Sequence, residues 1–293
     1  EPLQVPLYEE FTIPVVFHVV VSEEEVLTYG NLSAARIAET MERLNNIFSG
    51  KATRNAAGVN TGIQFVLAQY NPAGELMDEP GINRVTVEEV TEGTPPDKYH
   101  RFLSQNNAIW PHEKYLNIWL MSETKYPKFW NSITKLCVPK YRLGSETLPG
   151  LSLPPVPSTW VPKVEQIGIL FRMSTFQYFQ RSIDATAERE LVTCIGNYLG
   201  LLDTWKINNS NVNDQCNDTF AYGIVNNNGS LGTNSSWSKE VGSYRFLSEN
   251  IMDDPTGTHR SVSKDQALRM YWVLKNCAGR SMWQSDFALT GKE

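Results

Sequence analysis

The longest apolar stretch of the chain, Ile13 to Val21, reads IPVVFHVVV and lacks the alternation of a half-exposed strand. A run this short, continuous and β-branched predicts a strand buried on both faces. From Ser33 the period changes, and Ile37, Met41, Leu44 and Phe48 recur at helical intervals, which predicts a helix with one core-facing stripe. Ser33 suits its N-cap and Gly50 its end. Further strands are predicted at Gly62 to Ala68, Asn83 to Val87, Tyr115 to Met121 and Ile167 to Met173. A second helix, Ala185 to Leu199, sets Leu191, Cys194, Ile195, Tyr198 and Leu199 on one apolar stripe. Ser263 and Gln266 have capping-box spacing, which predicts a last helix over Lys264 to Asn276. Strands alternating with helices predict an α/β fold with a mostly parallel sheet.

Two stretches break this pattern. Ser122 to Val164 is irregular and rich in proline, from Pro139 to Pro162, and a loop of that length inside a compact domain usually carries function or wraps a surface. Ile207 to Ser243 is rich in asparagine, glycine and serine and poor in apolar residues, as expected of a loop-dominated region. The tail from Gly279 carries no readable pattern. The division that results is a first lobe, 1–200, ending with the second helix, and a second lobe, 201–293.

Composition narrows the partners. With 293 residues, 41% of them apolar and 20% charged, the chain can bury a substantial core. A net charge of −6 argues against nucleic acid or an anionic membrane surface, and no apolar run is long enough to span a bilayer. The chain opens at Glu1, so an export signal or anchor is expected to lie outside it, and a secreted or cell-surface location is the expectation. The four cysteines, Cys137, Cys194, Cys216 and Cys277, form neither a dense disulfide framework nor a paired zinc motif. Export favours oxidation, and Cys216 with Cys277, both in the loop-rich second lobe, is the expected disulfide. The triplets Asn217-Asp218-Thr219 and Asn234-Ser235-Ser236 are weak glycosylation signals.

The segment LVTCIGNYLGLLDTW, Leu191 to Trp205, aligns without gaps to the metzincin zinc-protease signature His-Glu-x-x-His-x-x-Gly-x-x-His. Thr193, Asn197 and Asp203 stand at the three histidine positions and Cys194 at that of the general-base glutamate, while Gly200 is intact. Residues at i and i+4 share a helix face, and a glycine after the helix lets the chain turn back, so the three side chains are expected to converge. A threonine hydroxyl and an asparagine amide are poor zinc donors, which leaves Asp203 as one credible ligand. None of the histidines His18, His100, His112 and His259 lies near this segment in sequence. No zinc and no other cofactor is expected.

In order, IPVVFHVV, RLNNIF, TGIQFVLA, GINRV, YLNIWL, the degenerate zinc segment, SENIMDD (Ser248 to Asp254) and QALRM (Gln266 to Met270) resemble a pappalysin-family metzincin, a group of secreted zinc endopeptidases. The resemblance spans roughly Ile13 to Asn276. It implies a twisted, mostly parallel five-stranded sheet over an active-site helix, a smaller loop-rich C-terminal lobe, and a cleft between them. It implies a Met-turn with Met252 as its methionine and Asp254 where a tyrosine commonly stands. It also implies that the edge strand binding substrate as an added antiparallel strand is Ile167, Gly168, Ile169, Leu170, Phe171, Arg172 and Met173. Such pairing uses backbone groups and needs no metal.

The function this predicts is a catalytically inactive metallopeptidase homologue that binds a peptide or protein in the old substrate cleft. One alternative is a structural or surface-assembly protein on the inherited fold. Another is a residual hydrolase of a different type, with Cys194 as nucleophile, although a reactive thiolate wants an adjacent base or cation and Cys194 falls on the apolar stripe. His18, on a buried strand, reads as a hydrogen-bonded core histidine.

Overall fold

The computed structural model describes residues 9–23, 26, 32–54, 58–87, 107–121, 135–138, 167–173, 186–207, 212–224, 238–241, 244–254 and 257–292. Its centre is β1 (Phe11–Ser22), which is buried along almost its whole length. On one side β1 pairs in parallel with β2 (Ile63–Leu67) through Phe11 to Val15 and with β3 (Ile82–Val87) through Phe17 to Ser22. The two short strands thus share one lane, and six strands occupy five lanes. On its other side β1 pairs with β4 (Leu116–Met121) from Val15 onward. Pro14 therefore sits just before that ladder begins, where its missing N–H costs no bond to β4. Next come β5 (Lys135–Val138) and β6 (Gly168–Arg172), with β6 parallel to β4 and β5 antiparallel to β6.

This order corrects the expected edge strand. Within Ile167 to Met173 a strand does form, at Gly168–Arg172, but this β6 lies between β4 and β5, and the terminal strand is Lys135–Val138. The four residues of β5 fall within the proline-rich stretch read as irregular; the rest of that stretch, and the triplet at Asn234, lie outside the described residues.

Helices cover one face of the sheet. Helix α1 (Ala34–Phe48) is capped by Ser33, whose hydroxyl accepts from the Arg36 N–H, and buries Ile37, Met41, Leu44 and Phe48. It joins α2 (Thr186–Tyr198) and α3 (Lys264–Asn276) in one core with the odd-numbered side chains of β1 from Phe11 to Val21. The capping box of α3 is complete, with Ser263 and Gln266 exchanging side-chain and backbone bonds. After β7 (Trp205–Ile207) and β8 (Tyr222–Ile224), which pair in parallel, β9 (Ser238–Val241) and β10 (Tyr244–Leu247) form an antiparallel pair.

The C-terminal tail, unreadable in sequence, is part of the core. A 3-10 segment, Ala278–Gln284, and the short α4 (Phe287–Thr290) return to the first lobe. Phe287 and Ala288 pack with Val16, Trp110 and Tyr115, and the Ala288 carbonyl accepts from the N–H groups of Gln69 and Tyr70.

On this second face His18 is fully buried between Trp110 and Trp119. The Asn83 amide donates to its Nδ1 at 2.9 Å, so Nε2 bears the proton and donates to Asn117 Oδ1 at 2.8 Å. His18 is thus the hydrogen-bonded core histidine its strand implied. Burial pushes its pKa down from 6.5 to about 4. Between those values the unfolded chain takes up a proton that the folded protein refuses, so stability falls as pH drops from 6.5 to about 4. The full loss is on the order of 3 kcal/mol. Urea unfolding across this range should show that decline, and His18→Gln should flatten it. An equally steep decline in the variant would assign acid sensitivity to other groups.

Candidate functional site

The site is built on the end of α2. Leu191, Val192, Cys194, Ile195, Tyr198 and Leu199 are all buried in the main core, Cys194 completely. A thiol sealed among apolar groups is a small hydrophobe and not an accessible nucleophile. The helix ends in a Schellman arrangement, with the Leu201 N–H donating to Gly196 O at 2.9 Å and the Gly200 N–H to Asn197 O at 3.0 Å. Gly200 has φ 89, the left-handed region that a side chain resists. The last carbonyls receive two buried arginines from distant segments. Arg269 Nε donates to Gly200 O at 2.7 Å and Arg280 Nε to Tyr198 O at 3.1 Å. Positive charge at a helix C-terminus is favourable, and α2 has no basic residue of its own in its last turn.

The turn brings Asn197 and Asp203 together, with Asn197 Nδ2 3.4 Å from Asp203 Oδ1 and 3.1 Å from the Thr193 carbonyl. Thr193 departs from the expected convergence. Its hydroxyl is directed to the Met-turn, 2.9 Å from Ile251 O and 3.1 Å from His259 Nδ1. His259 was set aside in sequence because it lies far along the chain from Thr193. It is buried, has φ 51, and places Nε2 2.9 Å from the Asp254 carbonyl oxygen.

The Met-turn itself is held by side-chain amides. Asn250 Nδ2 donates to Gln266 Oε1 at 2.8 Å, and Gln266 Nε2 donates back to Asn250 Oδ1 at 2.9 Å. The same two oxygens accept the N–H groups of Met252 and Ser263, at 2.9 and 3.0 Å. Met252 is thereby fixed beneath α2, where a Cβ on Gly196 would meet its sulfur at 2.6 Å. Glu249, just before, accepts from the Arg54 N–H at 2.8 Å and so ties the turn to the first lobe.

Asp254 faces a tyrosine from elsewhere in the chain. The Tyr222 hydroxyl on β8 donates to Asp254 Oδ2 at 2.8 Å and accepts the Asp254 N–H at 3.2 Å. Burial, with Asp253 and Asp254 beside it, pushes the phenol far above its ordinary range. Thr204 places its hydroxyl 3.0 Å from Asp253 Oδ1.

The expected disulfide is not present, and α3 explains why. Cys216 lies beside the N-terminal end of α3, where Asn217 and Asp218 exchange bonds with Asp265, whereas Cys277 caps its C-terminal end. A helix of 13 residues separates its ends by roughly 20 Å, far beyond the ~7 Å Cα limit of a disulfide. Both are thiols, Cys216 with its pKa raised to about 12, first by burial and then by Asp214.

Zinc does not fit these donors. The three signature positions offer a hydroxyl turned away, a neutral amide and one carboxylate, and among the described residues no three His, Cys, Asp or Glu side chains converge as a metal site requires. Tyr222, His259, Arg269 and Arg280 carry no local signal in the sequence, since each reaches the site from a separate segment.

If the Met-turn rests on the amide pair, Asn250→Ala and Gln266→Ala should not be additive. A double-mutant cycle by urea unfolding should give a coupling of ~1–3 kcal/mol, and additive effects would show that the pair is incidental.

Three solved structures superpose on nearly all of the chain. Mature mirolysin of Tannerella forsythia in complex with a cleaved peptide has a TM-score of 0.65 at 19% identity, over 97% of this chain and 99% of that one. Mirolysin in complex with a compound has 0.64 at 18%, over 97% and 100%. A Tannerella forsythia promirolysin mutant has 0.59 at 18%, over 96% and 85%. No protein-family model and no curated protein matches the chain. At these identities the likeness is one of architecture: this α/β chain, with its mostly parallel sheet, has the fold of mirolysin.

Proposed function

We propose that this chain is a catalytically inactive, exported homologue of the pappalysin-type metzincins that binds a peptide or protein segment in the cleft beside α2. The observation that carries this reading is the contrast at the end of that helix. Gly200, the Schellman turn and Met252 are retained, while the ligand and base positions hold Thr193, Cys194, Asn197 and Asp203. Zinc-dependent hydrolysis needs a Lewis acid and a water whose pKa is brought to ~7, and these residues supply neither a ligand set nor a general base. Strand addition needs backbone groups alone. The terminal strand of the sheet, Lys135–Val138, replaces Ile167 to Met173 as the edge that would receive it. A neighbour of the same fold was solved with a cleaved peptide, which supports a peptide as the ligand class.

Metal analysis of freshly purified protein should find far less than one zinc per chain, and peptide arrays should reveal binding without new peptide termini by mass spectrometry. Stoichiometric zinc, removed by chelator together with peptidase activity, would overturn the reading. Absence of any peptide ligand would favour surface assembly on an inherited scaffold.

Restoration tests the same reading from the other side. The combined change Thr193→His, Cys194→Glu, Asn197→His and Asp203→His should recover about one zinc per chain by calorimetry with feeble or absent hydrolysis. Because Cys194 is completely buried, the three-histidine variant lacking the glutamate is the companion of greater stability. Folded variants without saturable zinc binding would show that more than the donors has been lost.

A further inference from the structure

One end of the sheet is β5, and the other is the lane that begins with β2. Along β2 the backbone groups alternate in direction. The Phe11 N–H donates to Gly62 O and the Ala68 N–H to Val15 O, both at 3.0 Å. The even-numbered residues from Gly62 to Ala68 therefore face β1, and Ile63, Phe65 and Leu67 turn their N–H and C=O groups to the outer side. A terminal strand usually carries its own protection there, as a lysine, a proline or a bulge. Ile63–Leu67 reads IQFVL, with no charge and no proline, a composition that pairs readily with another strand.

The outer groups are met instead by side chains of the chain itself. At Phe65 the Asn45 carboxamide makes two bonds: its Oδ1 accepts the Phe65 N–H and its Nδ2 donates to the Phe65 carbonyl, each at 2.8 Å. This is the exchange of one N–H and one C=O that a residue opposite in an antiparallel strand would make. The Thr61 hydroxyl accepts the Ile63 N–H at 3.1 Å while donating to Phe48 O at 2.8 Å. Gln69 Nε2 donates to the Leu67 carbonyl at 3.0 Å. Asn45 reaches β2 from α1, whose Phe48 sets its ring against that of Phe65 with centroids 5.0 Å apart. Each of the three outward residues thus has a backbone group satisfied from its own chain, and Phe65, the middle one, has both.

We infer that Asn45 closes the β2 end of the sheet against pairing with a second copy of this chain, its carboxamide standing where the peptide group of an added strand would bond. Two copies of β2 set antiparallel about a two-fold axis would bond through these same outward groups. The Asn45 amide is already in place and competes for them without the entropy cost of association. Thr61 and Gln69 flank β2 in sequence and each serve one group, so Asn45 is the side chain whose loss opens the middle of the strand. The inference goes beyond the inactive-homologue reading and does not rest on it, since its residues belong to the end of the sheet opposite β5.

Hydrogen exchange of the unaltered chain gives the first readout. The Phe65 amide should exchange as slowly as the amides of β1, although it faces away from that strand; exchange at the rate of an unbonded amide would overturn the inference. Asn45→Ala should speed exchange at Phe65 by about tenfold or more with the amides of β4 unchanged. Sedimentation over a range of concentrations should show more self-association in that variant than in the unaltered chain. Gln64, exposed on β2, supplies the control that locates the contact: Gln64→Lys in the same variant should reverse the association, because a charge on an edge strand opposes pairing. Asn45→Ala protein that associates no more than the unaltered chain would show that the body of α1 is the barrier, and association that survives Gln64→Lys would place the contact elsewhere. Either result overturns the inference.

Discussion

A helix that ends inside a protein must find partners for its last carbonyl groups, and the way α2 does so organises the second half of this chain. The Gly200 turn satisfies part of the demand from within, through the N–H groups of Gly200 and Leu201. Arg269 and Arg280 satisfy the rest from α3 and from the 3-10 segment after it. Each arginine is buried, and placing a guanidinium there is tolerable because carbonyl oxygens and the negative end of the helix receive it. Helix α2, helix α3 and the returning C-terminal tail are thereby fixed to one point. The positions of Asn197 and Asp203 follow from it.

The support of the site and the chemistry of the site are carried by different residues. Asn250 and Gln266 hold the Met-turn through backbone and amide bonds alone, and Met252 fills the space beneath Gly196 by packing. None of these contacts asks for a metal. The scaffold therefore tolerates Thr193, Cys194, Asn197 and Asp203 at the end of α2, provided that their polar groups find partners. Asn197 and Thr193 do so through the helix itself and the Met-turn.

What was legible in the sequence was what local chemistry decides. The uninterrupted apolar run of β1 announced a strand covered on both faces, and Ser33, Ser263, Gln266 and Gly200 announced helix ends through their own hydrogen bonds or conformation. What was not legible depended on partners distant in the chain. The position of Ile167 to Met173 inside the sheet is set by a four-residue strand with no pattern of its own. The Cys216–Cys277 pairing failed because a whole helix lies between the two thiols. The tail from Gly279 has no periodicity because its buried residues fill spaces shaped by the first lobe.

Two histidines show the same limit most sharply. His18 and His259 are both buried, and burial alone would keep each neutral. Around His18 the amide of Asn83 offers a donor to one nitrogen and Asn117 an acceptor to the other, the complement of a neutral ring. Around His259 stand the Asp254 carbonyl oxygen on one side and the Thr193 hydroxyl on the other, and the same hydroxyl reaches Ile251 O. The neutral form of His18 is thus matched by the groups facing each of its nitrogens, and both come from strands other than its own. The neighbours of His259 become visible only when Thr193 and Asp254 are placed around one ring, which is why a sequence reading confined to the zinc signature passed over a histidine that lies against it in space.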